Sequence, residues 1–301
     1  MSTLPDTKQN PTLGIFFMVL TGLCFVAMTA LVKWQAGHLP AIQTSFLRFL
    51  LGILFVLPAW KSVAQIKFTP RLLGLFTLRG VFHSCAVVCW FYSMTRIPIA
   101  EVTAMNHLNP VFITVMAAIF LGERLQTGRL LAVLVALLGA FIVLRPGFRV
   151  LDPGHITMLL TAAALAGSYL LAKVFSAEIG PAAVVAVMSV TVAVFLAPLA
   201  ILHWQPIVAK DLIVLFAVAG LATCGHYLMS RALAVAPISL VQPVVFLQFV
   251  WSVILGALFF AEPVDPWVIT GGALIIGAVV YNAIREARGV VRDRRRSHQE
   301  I

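Results

Sequence analysis

The chain has 301 residues, of which 61% are hydrophobic and only 11% charged. A soluble domain carries about 25% charged residues, so this composition excludes a soluble enzyme or binding module and makes the bilayer the relevant solvent. The formal net charge of +10 would point to nucleic acid in a soluble protein, but here the basic groups sit in short loops and a terminal tail that could not cradle a duplex.

Crossing about 30 Å of hydrocarbon takes about 20 apolar residues in a helix. Ten runs meet that need, near 13–32, 41–60, 72–92, 98–121, 128–144, 154–175, 181–203, 212–233, 237–260 and 267–284. Residues 1–12 are polar and lead into the first run without a small-x-small cleavage site, which predicts a retained helix rather than a signal peptide. The second run carries Arg48, and the third carries Arg79, His83 and Trp90 at helical spacing. The fourth opens at Pro98 and holds Glu101, Thr103, Asn106, His107, Asn109 and Pro110; the fifth contains Gly139-Ala140. Asp152-Pro153 and Asp265-Pro266 place a capping carboxylate before a first-turn Pro and so open the sixth and tenth helices. Tyr169 lies in the sixth run and His226 in the eighth, while the ninth holds Gln242, Pro243, Gln248 and Trp251 and ends at Glu262. The tenth contains Gly277-Ala278 and Tyr281, and small residues in both this pair and Gly139-Ala140 predict close helix packing.

Four cysteines, Cys24, Cys85, Cys89 and Cys224, all fall within these runs. Cys85 and Cys89 lie one turn apart but lack further ligands at zinc-like spacing, so neither a disulfide framework, a metal nor any other cofactor is expected. No P-loop, HExxH or GxSxG motif is present, which argues against an ATPase or an intramembrane enzyme, and no repeated charged ring suggests a channel.

Fourteen Lys and Arg fall on the side of the N-terminus, six of them in the tail from Arg285 to Arg296, against five on the opposite side (Lys33, Arg96, Arg145, Arg149 and Lys210). The positive-inside rule therefore predicts both termini in the cytoplasm, in the bacterial cytoplasmic (inner) membrane. The tail reads as an anchor to anionic lipid.

The chain is built twice. An offset of 139 matches Pro98 to Pro237, Ile99 to Ile238, Glu123 to Glu262 and Cys85 to Cys224; an offset of 140 matches Gly14 to Gly154, Lys33 to Lys173 and Pro58 to Pro198. Five spans per copy is an odd number, so the second copy enters the membrane from the opposite side. The predicted fold is an all-α membrane protein of ten helices in two inverted five-helix repeats, residues 13–147 and 148–285, flanked by a cytoplasmic segment at 1–12 and a basic tail at 286–301. Such halves pack in two ways of similar energy, one open to each side.

Ionisable groups inside a bilayer cost about 2.5–3.5 kcal/mol each and need a reason. Arg48 and Arg79 could hold a carboxylate or phosphate, snorkel to headgroups, or pair with Glu101. Arg79, His83 and Trp90 on one stripe would suit a planar, anionic or heteroaromatic solute. Glu101, His83 and His226 are candidate proton carriers, although Glu101 also stands in the first turn of its helix, where a carboxylate offsets the dipole. Glu123 and Glu262 sit near helix C-termini and need partners; Arg124 and Arg129 serve Glu123, but the loop around Glu262 offers no base. At offset 139, Thr103 meets Gln242 and Asn109 meets Gln248. Pro110 frees the carbonyl of Asn106 and Pro243 that of Ser239, and helices interrupted in equivalent places point to a transporter's binding site. The candidate binding residues are thus Arg48, Arg79, His83, Trp90, Thr103, Asn106, His107, Asn109, Tyr169, His226, Gln242, Gln248 and Trp251, with Tyr281 a further candidate lining residue.

These residues resemble the EamA-type proteins of the bacterial drug/metabolite transporter superfamily. The likeness covers about residues 13–285 and rests on Pro98-Ile99-Ala100-Glu101-Val102-Thr103-Ala104, Asn109-Pro110-Val111-Phe112, Leu121-Gly122-Glu123-Arg124-Leu125 and Leu138-Gly139-Ala140, answered by Pro237-Ile238-Ser239, Glu262 and Ile276-Gly277-Ala278. The stretch from Trp90 to Pro98 and Val143-Leu144-Arg145-Pro146-Gly147 look most like the branch associated with riboflavin or S-adenosylmethionine uptake. The second copy departs from the first around Pro243 and lacks a Gly before Glu262. The resemblance implies a secondary transporter of a small polar organic metabolite, working by alternating access with a proton or counter-solute as partner; export of amino acids or drugs by the same fold is the alternative.

Overall fold

The computed structural model describes residues 10–35, 39–121, 127–148, 150–175, 179, 181–236 and 244–297. Among them there is no β-strand. The elements are α1 (Pro11–Gln35), α2 (Ala41–Val56), a 3-10 turn (Leu57–Ala59), α3 (Trp60–Ala64), α4 (Pro70–Arg96), α5 (Ile99–Asn106), α6 (Asn109–Leu121), α7 (Thr127–Leu144), α8 (Pro153–Phe175), α9 (Pro181–Leu202), α10 (Ala209–Val235), α11 (Leu247–Phe260) and α12 (Pro266–Ser297). With α2 joined to α3 and α5 to α6, nine of these stretches are long and apolar enough to cross a bilayer. The ninth expected span, 237–260, enters the described residues only at 244, and its helix α11 is correspondingly shorter.

Helix starts follow local chemistry. Thr69 Oγ1 accepts from Leu72 N at 3.2 Å ahead of Pro70, Asp152 Oδ1 accepts from Gly154 N at 2.7 Å, and Asp265 Oδ1 accepts from Trp267 N at 2.8 Å. Each cap satisfies an N–H that the first turn leaves without a partner. Proline also sets two interruptions: Pro58 lies in the 3-10 turn that divides the second span, and the fourth span breaks at His107-Leu108, just before Pro110. A Pro at 110 cannot donate to the Asn106 carbonyl, so the break leaves Asn106, His107 and Asn109 on irregular or freshly restarted backbone.

Large residues face outward and small ones inward. On α7, Leu134, Leu138 and Phe141 are exposed while Ala132, Ala136, Gly139 and Ala140 are buried against α12, as expected where lipid is as apolar as leucine and close approach is the gain. Gly139 and Gly271 face each other: a Cβ on Gly139 would stand 2.6 Å from the Gly271 carbonyl oxygen, and one on Gly271 2.5 Å from that of Gly139. Gly277, expected from its sequence match to pack like Gly139, meets nothing within 4 Å; its neighbour Ala278 is the buried member of that pair. Gly139→Ala is therefore expected to destabilise the protein by about 1–3 kcal/mol through overpacking, read as a lower Tm in detergent, while Gly277→Ala leaves Tm unchanged.

The principal helix pairs are α1 with α10, α4 with α8, α7 with α12, α2 with α9, α2 with α10, α4 with α9, α6 with α8, α1 with α11 and α5 with α11. Numbered by span, exchanging each helix with the one five spans later turns this set into itself: first-eighth becomes sixth-third, second-eighth becomes seventh-third, and fourth-sixth becomes ninth-first. The two copies thus pack across each other, and the core lies where the interrupted fourth span meets the ninth.

Candidate functional site

A cavity of about 360 Å³ occupies that meeting point. The sequence-selected residues Arg48, His83, Trp90, Asn106, His107, Asn109, Pro110, Tyr169, His226 and Gln248 all line it, together with apolar groups that include Phe25, Met28 and Phe246. Three imidazoles are fixed edge-on against rings: His83 on Phe49 at 5.7 Å, His107 on Phe246 at 5.0 Å and His226 on Phe25 at 5.1 Å. His83 Nδ1 also shares a hydrogen bond with Ser168 Oγ at 3.2 Å. Five buried polar atoms on lining residues make no hydrogen bond among the described residues: Arg48 Nε, Trp90 Nε1, Asn106 Oδ1, His107 Nε2 and Asn109 Nδ2. Buried polar groups are nearly always paired, so a cluster of five around one cavity marks a place where a solute or water completes the bonding.

A second cavity of about 620 Å³ shares Arg48 and His226 with the first and runs past Phe55 and Tyr227 to Pro58, Ala59 and Ser62. That end of the bundle, where α1 begins and α10 ends, is called the near end here; the far end is where α1 ends and α12 begins.

Several selected residues stand apart from the cavity. Arg79 is buried and donates to the Val184 carbonyl and to Met188 Sδ, both at 3.2 Å. Thr103 Oγ1 donates to the Ile99 carbonyl one turn back, and Tyr281 is exposed. Trp251 is not among the lining residues, and its buried Nε1 makes no hydrogen bond among the described residues. Gln242, Pro243 and Glu123 lie outside the described residues.

The far end is tied together by pairs that each join a residue of the first copy to one of the second. Lys33 forms an ion pair with Glu262 and also donates to the Ile97 carbonyl at 2.9 Å. Arg96 bonds Asp152 at 2.9 Å, and that bond holds the Asp152 carboxyl below its usual range. Arg145 pairs with Asp265. Glu101 Oε2 meets His155 Nε2 at 2.6 Å, both side chains being about 95% buried. Further hydrogen bonds add to these: Gln35 Nε2 donates to the Asp211 carboxylate at 2.6 Å, and Gln43 and the backbone of Gln205 exchange two bonds of 2.9 Å.

Two expectations are corrected by this network. Glu262 has a base, supplied by α1 instead of its own loop, and its Oε2 accepts from Ile99 N at 2.9 Å. Glu262 therefore caps α5 from the other copy, while Glu101 stands in the first turn of that helix as expected. Glu101 pairs with His155, where Arg48 or Arg79 was the partner considered; the separation of 54 positions hid that pair from the sequence. Lys33 and His155 are the site residues that sequence reasoning missed.

Residues 12–145 and again 152–284 match the EamA-like transporter family. The chain belongs to that family. Among its relatives are the pseudopaline exporter of Pseudomonas aeruginosa (strain UCBPP-PA14), 26% identical over 272 residues that cover 89% of this chain and 94% of the relative, and the riboflavin transporter of Brucella anthropi, 26% identical over 274 residues covering 88% and 96%. The S-adenosylmethionine uptake transporter of Rickettsia bellii is 21% identical over 285 residues, covering 95% and 98%. A solved crystal structure shares the fold with a TM-score of 0.59 at 21% identity, over 90% of this chain and 98% of the other. This EamA-type protein is thus a multi-pass inner-membrane transporter of small metabolites and not an enzyme.

Proposed function

We propose that this transporter is a secondary active carrier that moves a small polar organic solute through the central cavity by alternating access, and that both termini lie in the cytoplasm. The observation carrying the reading is the cluster of unpaired polar atoms around a cavity built at the helix break of the fourth span, beside the ninth. Pairs at the far end link the two copies, while the second cavity continues from Arg48 to Ser62 at the near end. This is the arrangement of a carrier closed outside and reached from the cytoplasm. The buried Glu101–His155 pair lies behind the cavity on the closed side and carries the coupling proton.

The solute is a ring-bearing organic metabolite of about the size of riboflavin, the solute named for the Brucella relative. A ring stacks beside Trp90 and Tyr169, and its polar edge meets Asn106, Asn109 and Gln248. An S-adenosylmethionine-like cation has less support, since no Asp or Glu is among the lining residues of either cavity. Export is the second reading, favoured by the 26% identity to the pseudopaline exporter.

Reconstitution in proteoliposomes tests this. Saturable, counterflow-stimulated uptake is expected, with Asn109→Ala and Gln248→Ala each lowering it about tenfold or more, the loss of one solute hydrogen bond, at unchanged insertion and Tm. Linear flux without trans-stimulation would indicate a channel, and unchanged kinetics in both variants would remove the cavity from the path.

A further inference from the structure

The carboxylates whose side chains the structure describes are Glu101, Asp152, Asp211, Glu262 and Asp265, and every one sits at the far end with a partner. The cavities hold the opposite balance. Arg48 lines both, with His226 beside it, and His83 and His107 line the first; no Asp or Glu is among the described lining residues. Arg48 makes no hydrogen bond or ion pair among the described residues. Its guanidinium rests on the Phe49 ring at 4.1 Å, and its buried Nε has no acceptor.

This differs from Arg79, whose two terminal nitrogens donate to the Val184 carbonyl and to Met188 Sδ. A guanidinium inside the membrane normally meets a counter-charge or reaches a headgroup. Arg48 is the eighth residue of α2, about 10 Å from the helix start at 1.5 Å per residue, and it is held at the neck between two cavities. The planar fork of Arg matches a carboxylate or phosphate through two parallel bonds. An oxyanion placed there would also have the His226 imidazole within the same neck.

We propose that the transported solute is an organic oxyanion, bearing a carboxylate or phosphate that supplies the counter-charge of Arg48, with its uncharged remainder lying toward Trp90, Asn106 and Asn109. The proposal rests on the central cavity being the solute site. It assigns the solute's charge, which that reading leaves open, and it excludes net cations because no Asp or Glu is among the described lining residues.

Thermal shift of the purified full chain tests it with matched probes: riboflavin 5′-phosphate against riboflavin for the phosphate, and indole-3-acetate against tryptamine for the carboxylate. A ligand that binds the folded state raises Tm with its concentration. The anionic member of at least one pair is expected to bind about tenfold or more tighter than its partner, the worth of a charge-assisted bond. Which pair responds tells phosphate from carboxylate. Arg48→Met is expected to abolish that difference and Arg48→Lys to retain part of it. Because Arg48 makes no hydrogen bond or ion pair among the described residues and Met can still pack on the Phe49 ring, Arg48→Met should not lower the Tm of the unliganded protein. Stabilisation by the neutral or cationic members that equals or exceeds that by the anions, by none of the four, or equally in Arg48→Met overturns the proposal; so does a drop in unliganded Tm with anion binding intact. Phosphatidylglycerol in the micelle giving the same Arg48-dependent rise would assign the neck to a lipid headgroup and overturn it too. The Asn109 and Gln248 variants report on the cavity independently of charge, so failure here leaves that reading standing or fallen on its own measurement.

Discussion

Glu262→Gln is expected to loosen the far end and raise the labelling there of a cysteine introduced at Ala100 by an impermeant thiol reagent. Ala100 lines a pocket of about 250 Å³ enclosed by Arg96, Glu101, Asp152, His155, Glu262 and Asp265. The amide oxygen of Gln can still accept from Ile99 N, so the cap on α5 survives and the change isolates the charge. Lys33, 19% exposed against 11% for Glu262, is then left with the Ile97 carbonyl and the Phe260 ring. Breaking a buried pair costs about 3–5 kcal/mol, and partial exposure here reduces that to about 1–3 kcal/mol. If that energy belongs only to the closed far end, the balance between closed and open forms shifts about tenfold to hundredfold, and labelling accelerates accordingly. Lys33→Met should act in the same direction, and the double variant should be milder than the sum of the two. Strictly additive effects would mean that the pair does not hold this end shut.

Glu101→Gln is expected to abolish proton-driven accumulation while leaving solute exchange intact. A buried carboxylate hydrogen-bonded to an imidazole at 2.6 Å is a place where one proton can be gained and lost, and an amide can do neither. The variant keeps a polar partner for His155, so the helix contact between α5 and α8 survives. In proteoliposomes with an imposed pH gradient, accumulation should fall to the level set by the solute gradient alone, while counterflow remains near that of the parent. His155→Gln should give the same separation of driven uptake from exchange. Retained pH-driven accumulation in Glu101→Gln would move the coupling site elsewhere.

The fold was open to reading because its causes are local or periodic. Apolar runs of membrane length, Asp-Pro starts and a duplicated pattern each act within a few residues, and Pro110 announced the break that places Asn106, His107 and Asn109 at the cavity. Interactions between copies were harder to read. Glu262 looked unpaired because its base comes from α1, yet both members of that pair recur in the other copy as Lys173 and Glu123, which was the available signal. His155 carried no such mark: one turn into α8, it reads as an ordinary helix-start residue until the fold brings Glu101 against it. Arg79 and Arg48 looked equivalent in type and in distance from the start of their spans, and the α9 partners of Arg79, Val184 and Met188, separate the structural cation from the one at the cavity neck. Gly139 and Gly277 matched in sequence, but packing follows the helix face, and on that face the partner of Gly139 is Gly271.

Reciprocal motion of the two ends is the central physical requirement, and paired distance measurements test it most directly. Spin labels at Leu151 and Val264 report on the far end, and labels at Gln65 and Arg231 on the near end; all four positions are exposed. In membranes, Glu262→Gln should lengthen the Leu151–Val264 distance and shorten the Gln65–Arg231 distance in the same population. Lengthening of both together, or a change at one end with the other fixed, would contradict alternating access by exchange of the two halves.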